Sequence, residues 1–282
     1  MSYQHIPNLY TDDRILQFKT CFALEKVDGT SASILWSNNK LTFFSGGASR
    51  EQFLKLFDQV ELFKRFQERF GFETVKVYGE AYGGKVQRQE GRYGKELCFI
   101  VFEVKIGEEW LTVPQAEIQA LYLGLNFIPW KEISTNLGEI DRERDAPSLV
   151  AKRNGIKKEQ IREGVVLRPP IELMNFIKER IVAKHKRDDF KETKNSRKVG
   201  ADPMILSSAR EVAEEYVTPM RLNHVLQKLP QAKELKDTGI IIRAMIEDVL
   251  REGSREITDS KEVRRAIATR TSKLWKEYIS KI

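Results

Sequence analysis

Cysteine and histidine are scarce in this chain. Its 282 residues include two cysteines, Cys21 and Cys98, and three histidines. No Cys-x-x-Cys pair occurs, so the sequence lacks the ligand set of a structural zinc site. Both cysteines are flanked by apolar residues, and we expect reduced, buried thiols of the kind found in cytosolic proteins.

Long apolar runs are also missing. No stretch approaches the roughly 20 apolar residues that a membrane-spanning helix needs. The first residues, MSYQHIPNLYTDDR, have neither the basic region nor the apolar core of a signal peptide. The sequence therefore predicts a soluble, cytoplasmic protein with no membrane partner.

Charge, by contrast, is abundant. Charged residues make up 32% of the chain and hydrophobic residues 41%, which is typical of a globular protein. The net charge is +7, with a pI near 9.2. This balance suits a polyanionic partner such as nucleic acid, although many basic proteins bind none.

Residues up to about 190 mix short alternating runs with a few helical patterns. SASILWSNNKLTFFSGG predicts a hairpin that turns at Asn38-Asn39. Apolar residues at helical spacing predict one helix over 50–70, and VPQAEIQALYLGL predicts another. Further strands are predicted in TVKVYGEAY, LCFIVFEVKI and GVVLRPP, and an exposed edge strand in RIVAKHKRDDF.

The pattern changes after residue 190. KETKNSRKVGADP is polar and aperiodic and predicts a linker, and beyond it every periodic segment is helical, including one helix over 205–229. We therefore predict an α+β domain of antiparallel sheets with flanking helices over 1–193. A linker over 194–204 and a small all-helical domain over 205–282 follow it.

An amine stands at the mouth of a predicted hairpin, in Lys26-Val27-Asp28-Gly29. Lysine becomes a nucleophile when burial or neighbouring cations lower its pKa from about 10.4. Lys184 and Lys186 alternate along a strand and so share a face, where they could supply those cations and bind a triphosphate. The same alternation also fits a solvated edge strand.

Two carboxylates have similar positions at strand ends. Glu80 follows a strand in VYGEAYGG, and Glu163 precedes one in REGVVLRP. Together they could provide oxygen ligands for Mg²⁺ bound to phosphates. Each alone would also fit an ordinary acid at the end of a strand.

The order of these segments resembles the covalent nucleotidyltransferase superfamily, which comprises ATP-dependent DNA and RNA ligases and mRNA capping enzymes. A single Lys-x-Asp-Gly motif is weak evidence for this family, but five segments in family order, over residues ~20–190, make a strong signal. They are Lys26-Val27-Asp28-Gly29, Gly79-Glu80, Phe99-Ile100-Val101-Phe102-Glu103, Glu163-Gly164-Val165-Val166 and Lys184-His185-Lys186.

The resemblance implies a lysyl–AMP mechanism that uses ATP and Mg²⁺ or Mn²⁺. Lys26 would attack the α-phosphorus of ATP and expel pyrophosphate. Lys184 and Lys186 would hold the α-phosphate. Glu80 would hold the ribose and, with Glu163, the metal ion. Such catalysis consists mostly of positioning and charge stabilisation.

The resemblance also implies an adenine pocket. Leu24 and Glu25, with the main chain beside them, would contact the base, and Phe102 would stack on it. Two departures from the family pattern occur. Arg50 is the nearest candidate for an arginine that many members carry after the nucleophile strand, and Glu103 stands where an aspartate near the metal is more usual.

The helical C-terminal region distinguishes branches of the superfamily. DNA ligases and capping enzymes carry an OB-fold there, which needs about 100 residues of alternating pattern. EEYVTPMRLNHVLQKL instead resembles the RNA ligases that seal nicks in duplex RNA, a branch with a phage repair ligase and the RNA-editing ligases. A reduced DNA ligase, a GTP-using capping enzyme and a catalytically idle nucleic-acid-binding relative remain alternatives.

RNA is the partner that this branch implies, either as a nicked duplex or as broken ends. Residues 177–198 contain nine Lys/Arg against four Asp/Glu, and Arg221, Lys228 and Lys233 lie near predicted helix ends. These cations could contact phosphates, or they could be ordinary solvated surface. The sequence indicates no protein partner.

Overall fold

The computed structural model describes residues 3–84, 86, 90–174, 179–200, 206, 208–229 and 231–281. It divides the chain into two compact units. The first consists of Met1–Asn8 and Asp12–Arg187, and the second of Leu9–Thr11 and Asp188–Ile282. The linker predicted over 194–204 stays a prediction. Residues 201–204 lie outside the described part of the chain, and within the second unit Arg197 binds Glu215 and Glu256.

The first sheet of the first unit has four antiparallel strands. In spatial order they are β7 (Trp130–Ser134), β1 (Thr20–Lys26), β8 (Gly164–Arg168) and β9 (Ala183–Lys186). β1 pairs with β7 on one side and with β8 on the other. Because β1 lies inside the sheet, its five central residues, 21–25, are buried.

The second sheet has five antiparallel strands. In spatial order they are β3 (Lys40–Ser45), β2 (Thr30–Ser37), β4 (Val75–Gly83), β5 (Leu97–Ile106) and β6 (Glu109–Trp110). The predicted hairpin is confirmed as β2 and β3. Its turn residues Asn38 and Asn39 have φ of 51° and 54°, a conformation that asparagine tolerates and that two-residue hairpin turns require.

Short helices flank both sheets in the first unit. They are α1 (Arg50–Leu54), α2 (Gln59–Phe70), α3 (Glu90–Tyr93), α4 (Val113–Tyr122), α5 (Leu137–Asp145) and α6 (Leu149–Arg153), with a 3₁₀ turn at Arg14–Gln17. The single helix predicted over 50–70 is wrong. The first helix ends at Leu54. A new helix begins after Asp58, whose side chain accepts hydrogen bonds from the amides of Val60 and Glu61.

The core of the first unit lies against one face of the second sheet. Trp36 of β2 is fully buried there, stacked on Phe66 of α2 at a centroid distance of 5.9 Å. Val77 of β4 is buried in the same cluster. Replacing Trp36 by alanine would cost about 3–5 kcal/mol. Side chains alternate along a strand, so Ser31, five positions from Trp36, and Glu80, three positions from Val77, lie on the opposite face.

The edge strand β9 differs from its prediction. It lies at the edge of its sheet, but Lys184 and His185 are only 8% and 9% exposed. The reason is a segment from the beginning of the chain: the carbonyl of Pro7 accepts a hydrogen bond from the amide of Lys184 at 2.8 Å, and Asn8 bridges the same residue in parallel. The predicted exposed edge is therefore wrong.

Helices make up the regular structure that is described in the second unit. They are α7 (Ala209–Tyr216), α8 (Pro219–Lys228), α9 (Thr238–Glu252) and α10 (Lys261–Ile279), with 3₁₀ turns at Asp188–Phe190 and Leu235–Asp237. The single helix predicted over 205–229 is broken where Thr218 caps α8 ahead of Pro219. Ile241, Met245 and Trp275 are buried in the core of this unit.

Two predictions about composition can be compared with the structure directly. Within the described part of the chain, no helix combines the length and the apolar character that crossing a membrane would take. Neither cysteine is in a disulfide; Cys21 is buried as expected, whereas Cys98 is partly exposed.

Candidate active site

The register of the first sheet brings the lysines together. Lys26, Gly164 and Lys186 lie directly opposite one another across β1, β8 and β9. Leu24, Val166 and Lys184 form a second such row, two residues away along each strand. Residues directly opposite in an antiparallel sheet point to the same side, and so do residues two apart along a strand. Lys26 and the lysine pair thus share one face.

Glu163 connects two of these lysines. Its Oε2 lies 2.8 Å from Nζ of Lys26, and its Oε1 lies 3.0 Å from Nζ of Lys186. The main chain holds the acid in place, because its amide donates to the carbonyl of Lys26 at 3.2 Å. Glu163 is only 2% exposed. The negative charge of this buried carboxylate offsets the electrostatic cost of holding two ammonium groups close together.

The glycine after this acid is required by the close approach of two strands. Gly164 has a φ of 152°, and a Cβ at that position would lie 2.2 Å from the carbonyl oxygen of His185. Any larger residue would push β8 away from β9. The Glu-Gly pair therefore sets both the acid and the strand spacing that lets Lys186 reach it.

The turn after Lys26 is held by α3. The amide of Asp28 donates to the hydroxyl of Tyr93 at 3.2 Å, and Nη1 of Arg92 lies 3.3 Å from Oδ2 of Asp28. Sequence reasoning missed both partners. They are separated from Asp28 by more than 60 positions, and no periodicity or motif links them to it.

Gly29 brings the second acid to this turn. A Cβ on Gly29 would lie 2.5 Å from Cγ of Glu80 and 2.7 Å from the carbonyl oxygen of Ala81. Only glycine therefore lets β4 pack this closely against the turn. The glycine of Lys-x-Asp-Gly is explained here by the approach of Glu80.

Glu80 is electrostatically coupled to the rest of the site. Its pKa is raised to about 8, mainly by burial; Lys26 lowers the pKa, and Glu163 and Asp28 raise it. Near neutral pH the Glu80 carboxyl therefore holds its proton more firmly than an ordinary glutamate. These interactions place Lys26, Glu80 and Glu163 within one electrostatic cluster, as a single site requires.

Glu25 lies in β1 beside Lys26, but its side chain points to the other face. Its Oε1 accepts a 2.5 Å hydrogen bond from the Ser148 hydroxyl, and its Oε2 accepts from the amides of Leu149 and Val150 at the start of α6. The side chain of Leu24 is buried in the core. The adenine contacts of both residues stay predictions, and for Glu25 this geometry leaves the main chain to make them.

Phe102 lies at an irregularity of β5. Gly79 pairs with Val101 and Tyr78 with Glu103, so Phe102 is an extra residue without a directly opposite partner. Such bulges re-aim side chains and occur often beside active sites. The ring is partly exposed and is perpendicular to another aromatic ring, that of Tyr3, at a centroid distance of 5.0 Å. Its stacking role stays a prediction.

Glu103 belongs to a buried ionic cluster. It is fully buried and forms ion pairs with Arg168, at 3.0 Å, and with Arg180, at 2.5 Å. Burial alone would raise the pKa of Glu103, but the two guanidinium groups outweigh it and hold the pKa below its ordinary value. The predicted place of this acid beside a metal ion stays untested. What the structure shows is that Glu103, together with Glu172, neutralises these two buried arginines.

Arg50 is exposed, as the first residue of α1. Its predicted contact with nucleotide stays a prediction.

The basic stretch over 177–198 is less exposed than expected. Arg180, Lys184 and Arg197 are largely buried, and so is Lys186. In the second unit Arg221 is 2% exposed and pairs with Asp248. The suggestion that Arg221 reaches phosphates is therefore wrong.

The donor set fits a nucleotide with Mg²⁺. Among the described residues, no group of three His, Cys, Asp or Glu is arranged to hold a metal ion by itself. Mg²⁺ commonly uses only one or two carboxylates together with substrate phosphates and water. Glu80 and Glu163 could supply that number, and Lys184 and Lys186 could supply positive charge for phosphate.

The two antiparallel sheets match the fold of solved RNA ligase structures. The family model described as RNA ligase matches residues 19–186, more than half of the chain. The chain belongs to the RNA ligase family. No curated protein matches it in sequence.

Solved structures of an RNA ligase from Naegleria gruberi have a similar fold. One, a mutant with AMP and Mn, has a TM-score of 0.53 at 13% identity, covering 67% of this chain and 57% of that one. A second, with PPi, has a TM-score of 0.52 at 14% identity and the same coverage. A mutant with ATP and Mn has a TM-score of 0.52 at 14% identity, covering 67% of this chain and 56% of that one. This chain thus spans somewhat more than half the length of those ligases.

Proposed function

We propose that the protein is an ATP-dependent RNA ligase, which joins a 3′-OH to a 5′-phosphate through a lysyl–AMP intermediate. The observation that carries the proposal is the Glu163 carboxylate bonded to both Lys26 and Lys186. A nucleophile, an acid and phosphate-binding cations are thereby brought together from strands far apart in sequence. Family membership and the ATP, AMP and PPi of the Naegleria structures support it.

In the first step Lys26 Nζ attacks the α-phosphorus of ATP. A P–N bond forms, the bond to the β-phosphate oxygen breaks, and pyrophosphate leaves with the electron pair. Lys26 must lose a proton, and Glu163, which accepts a hydrogen bond from it at 2.8 Å, is placed to take it. Lys184 and Lys186 stabilise the charge that develops on the α-phosphate.

Two further steps complete ligation. The 5′-phosphate of RNA attacks the same phosphorus, the P–N bond breaks, and the proton taken by Glu163 returns to the leaving amine of Lys26. The 3′-OH then attacks the adenylylated 5′-phosphate, loses its proton and expels AMP. Throughout, the face that carries Lys184 and Lys186 holds the phosphates in position.

Mg²⁺ would be held by Glu80 and Glu163 with the phosphates of ATP, where it would neutralise phosphate charge. Glu80 also lies where a ribose hydroxyl would be bound. The adenine would lie against Phe102, beside the main chain of Leu24 and Glu25. Arg50 would contact the nucleotide only if the segment before α1 brings it inward.

The RNA substrate we propose is a nicked duplex, gripped in part by the helical second unit. The exposed cations of α10 include Arg265, Lys273 and Lys276. Lys273 and Lys276 line a shallow concavity together with Thr269 and Ser272, which suits a phosphate backbone. The domain assignment, with catalysis in the first part and RNA engagement in the second, is part of this proposal.

The experiment for the reaction is incubation with radiolabelled ATP, GTP or NAD, followed by sealing of nicked duplexes in which each strand is RNA or DNA in turn. Label transfer from ATP with sealing of RNA nicks supports the proposal. Label from GTP would indicate a capping enzyme, equal sealing of all-DNA nicks a DNA ligase, and no label an idle relative.

RNA engagement by α10 has a separate test. Changing Lys273 and Lys276 to glutamate should leave lysyl–AMP formation intact and weaken RNA binding, with a smaller salt dependence. The same charge change at Lys55 and Lys64, which are exposed on the first unit, is the matched control. Equal losses in both pairs would contradict a specific role for α10.

A further inference from the structure

A segment near the beginning of the chain links the two sheets. At one end, the Pro7 carbonyl accepts from the Lys184 amide of β9. At the other end, the amide of Tyr3 lies 3.4 Å from the hydroxyl of Ser31 in β2. Ser31 lies directly opposite Glu80. Residues 3–8 therefore run from the lysine strand to the sheet that carries Glu80.

Tyr3 ends this segment within a group of aromatic rings. Its ring makes edge contacts with Phe102 at 5.0 Å, Tyr78 at 5.1 Å and Trp110 at 6.1 Å between centroids. The hydroxyl donates to the Glu103 carboxylate and accepts from Nη1 of Arg180 at 3.1 Å. The tyrosine is thus held at both its ring and its hydroxyl.

We propose that Tyr3 is a positioning residue for the purine pocket, acting through Phe102; this inference rests on the proposed ATP-dependent function. Phe102 has no directly opposite residue on β4 to fix its direction. Tyr3 supplies that support from the side. Its contact is perpendicular, with an interplanar angle of 81°, and Phe102 remains partly exposed. Ring surface is therefore left for a stacked base.

Loss of the Tyr3 ring should weaken ATP binding more than it slows the chemical step. Tyr3 touches neither the lysines nor Glu163 in the described contacts, so its effect belongs to base binding. Tyr3→Ala should raise the Kd and the KM for ATP about tenfold, the effect of one misplaced aromatic contact. Tyr3→Phe keeps the ring, and should stay within about threefold of the parent protein.

The test uses full-length protein carrying Lys26→Ala, so that ATP binds without reacting and its Kd can be measured by calorimetry. Tyr3→Ala, Tyr3→Leu and Tyr3→Phe are compared in that background, and the adenylylation rate against ATP concentration is measured with Lys26 restored. Phe72→Ala, at an aromatic that is 89% exposed, is the control. Tyr3→Leu fills the space without a ring if alanine prevents folding.

The expected result is weaker ATP binding in Tyr3→Ala and Tyr3→Leu, recovery in Tyr3→Phe, and a nearly unchanged rate at saturating ATP. Unchanged or tighter binding without the ring would overturn the inference, and tighter binding would mean that Tyr3 obstructs the pocket. If the parent with Tyr3 intact neither binds ATP nor forms lysyl–AMP, the proposed function fails as well. The two failures are therefore distinguishable.

Discussion

Glu80 gives the clearest energetic prediction. Its pKa is about 8 in the folded protein against an ordinary value of 4.5. The folded state therefore binds this proton more tightly than the unfolded state. The resulting stability is fully present below pH ~4.5 and is lost as the pH rises through ~8.

The size of the effect follows from the shift. At 1.36 kcal/mol per pKa unit, a rise from 4.5 to about 8 corresponds to about 4–5 kcal/mol as an upper limit. Glu80 is only partly buried, and water that reaches the carboxylate reduces this figure. We expect the unfolding free energy of Glu80→Gln, relative to the parent, to rise by about 2–4 kcal/mol between pH 5 and 8.5.

Urea denaturation at several pH values measures this difference. Three of the four tryptophans, Trp36, Trp110 and Trp130, lie in the first unit, and Trp275 lies in the second. A Trp275→Phe background therefore makes fluorescence report on the unit that contains Glu80. Glu109→Gln, at an exposed position, is the matched control. If the difference in unfolding free energy between Glu80→Gln and the parent stayed constant across this pH range, the electrostatic account of the site would be refuted.

Two other substitutions test parts of the site. Glu163→Ala should destabilise the protein by about 1–3 kcal/mol, because it leaves two cations without their carboxylate, and melting curves measure this loss. The same substitution should slow lysyl–AMP formation at least about a hundredfold, as measured by the rate of label transfer. An unchanged rate of adenylation would show that Glu163 has no part in the mechanism. Phe102→Leu should weaken ATP binding by about 0.5–1.5 kcal/mol without abolishing it, and calorimetry that finds equal affinity would end the stacking assignment.

What the sequence predicted well was local. Alternation along β9 put Lys184 and Lys186 on one face, and Glu163 lies directly before β8 as predicted. Glu80, expected to follow a strand, lies inside β4 instead. The Asn38-Asn39 turn was likewise visible from its residues. Each of these features depends on a few neighbouring residues, which is the range over which sequence periodicity is informative.

What it missed depends on tertiary contacts. The Lys26–Glu163 contact spans 137 positions and requires the register of three strands. The burial of β9 comes from Pro7 and Asn8, in a segment without any periodic pattern. The continuous helix predicted over 50–70 failed because one capping aspartate, Asp58, outweighed a favourable run of phenylalanines.

Glu25 shows how alternation could have corrected a site assignment. It adjoins Lys26, and neighbours in a strand point to opposite faces. Its side chain caps α6 instead of meeting the nucleotide face. The resemblance to a family named the residue, but strand geometry determines which part of it can reach adenine.

The central claim is that Lys26 becomes covalently attached to AMP. Peptide mass spectrometry after incubation with ATP and Mg²⁺ tests it most directly. We predict one acid-labile AMP on the peptide that contains Lys26, absent in Lys26→Ala and also in Lys26→Arg, because a guanidinium does not deprotonate near neutral pH. AMP on Lys184 or Lys186 instead, or AMP that persists in Lys26→Ala, would contradict the account.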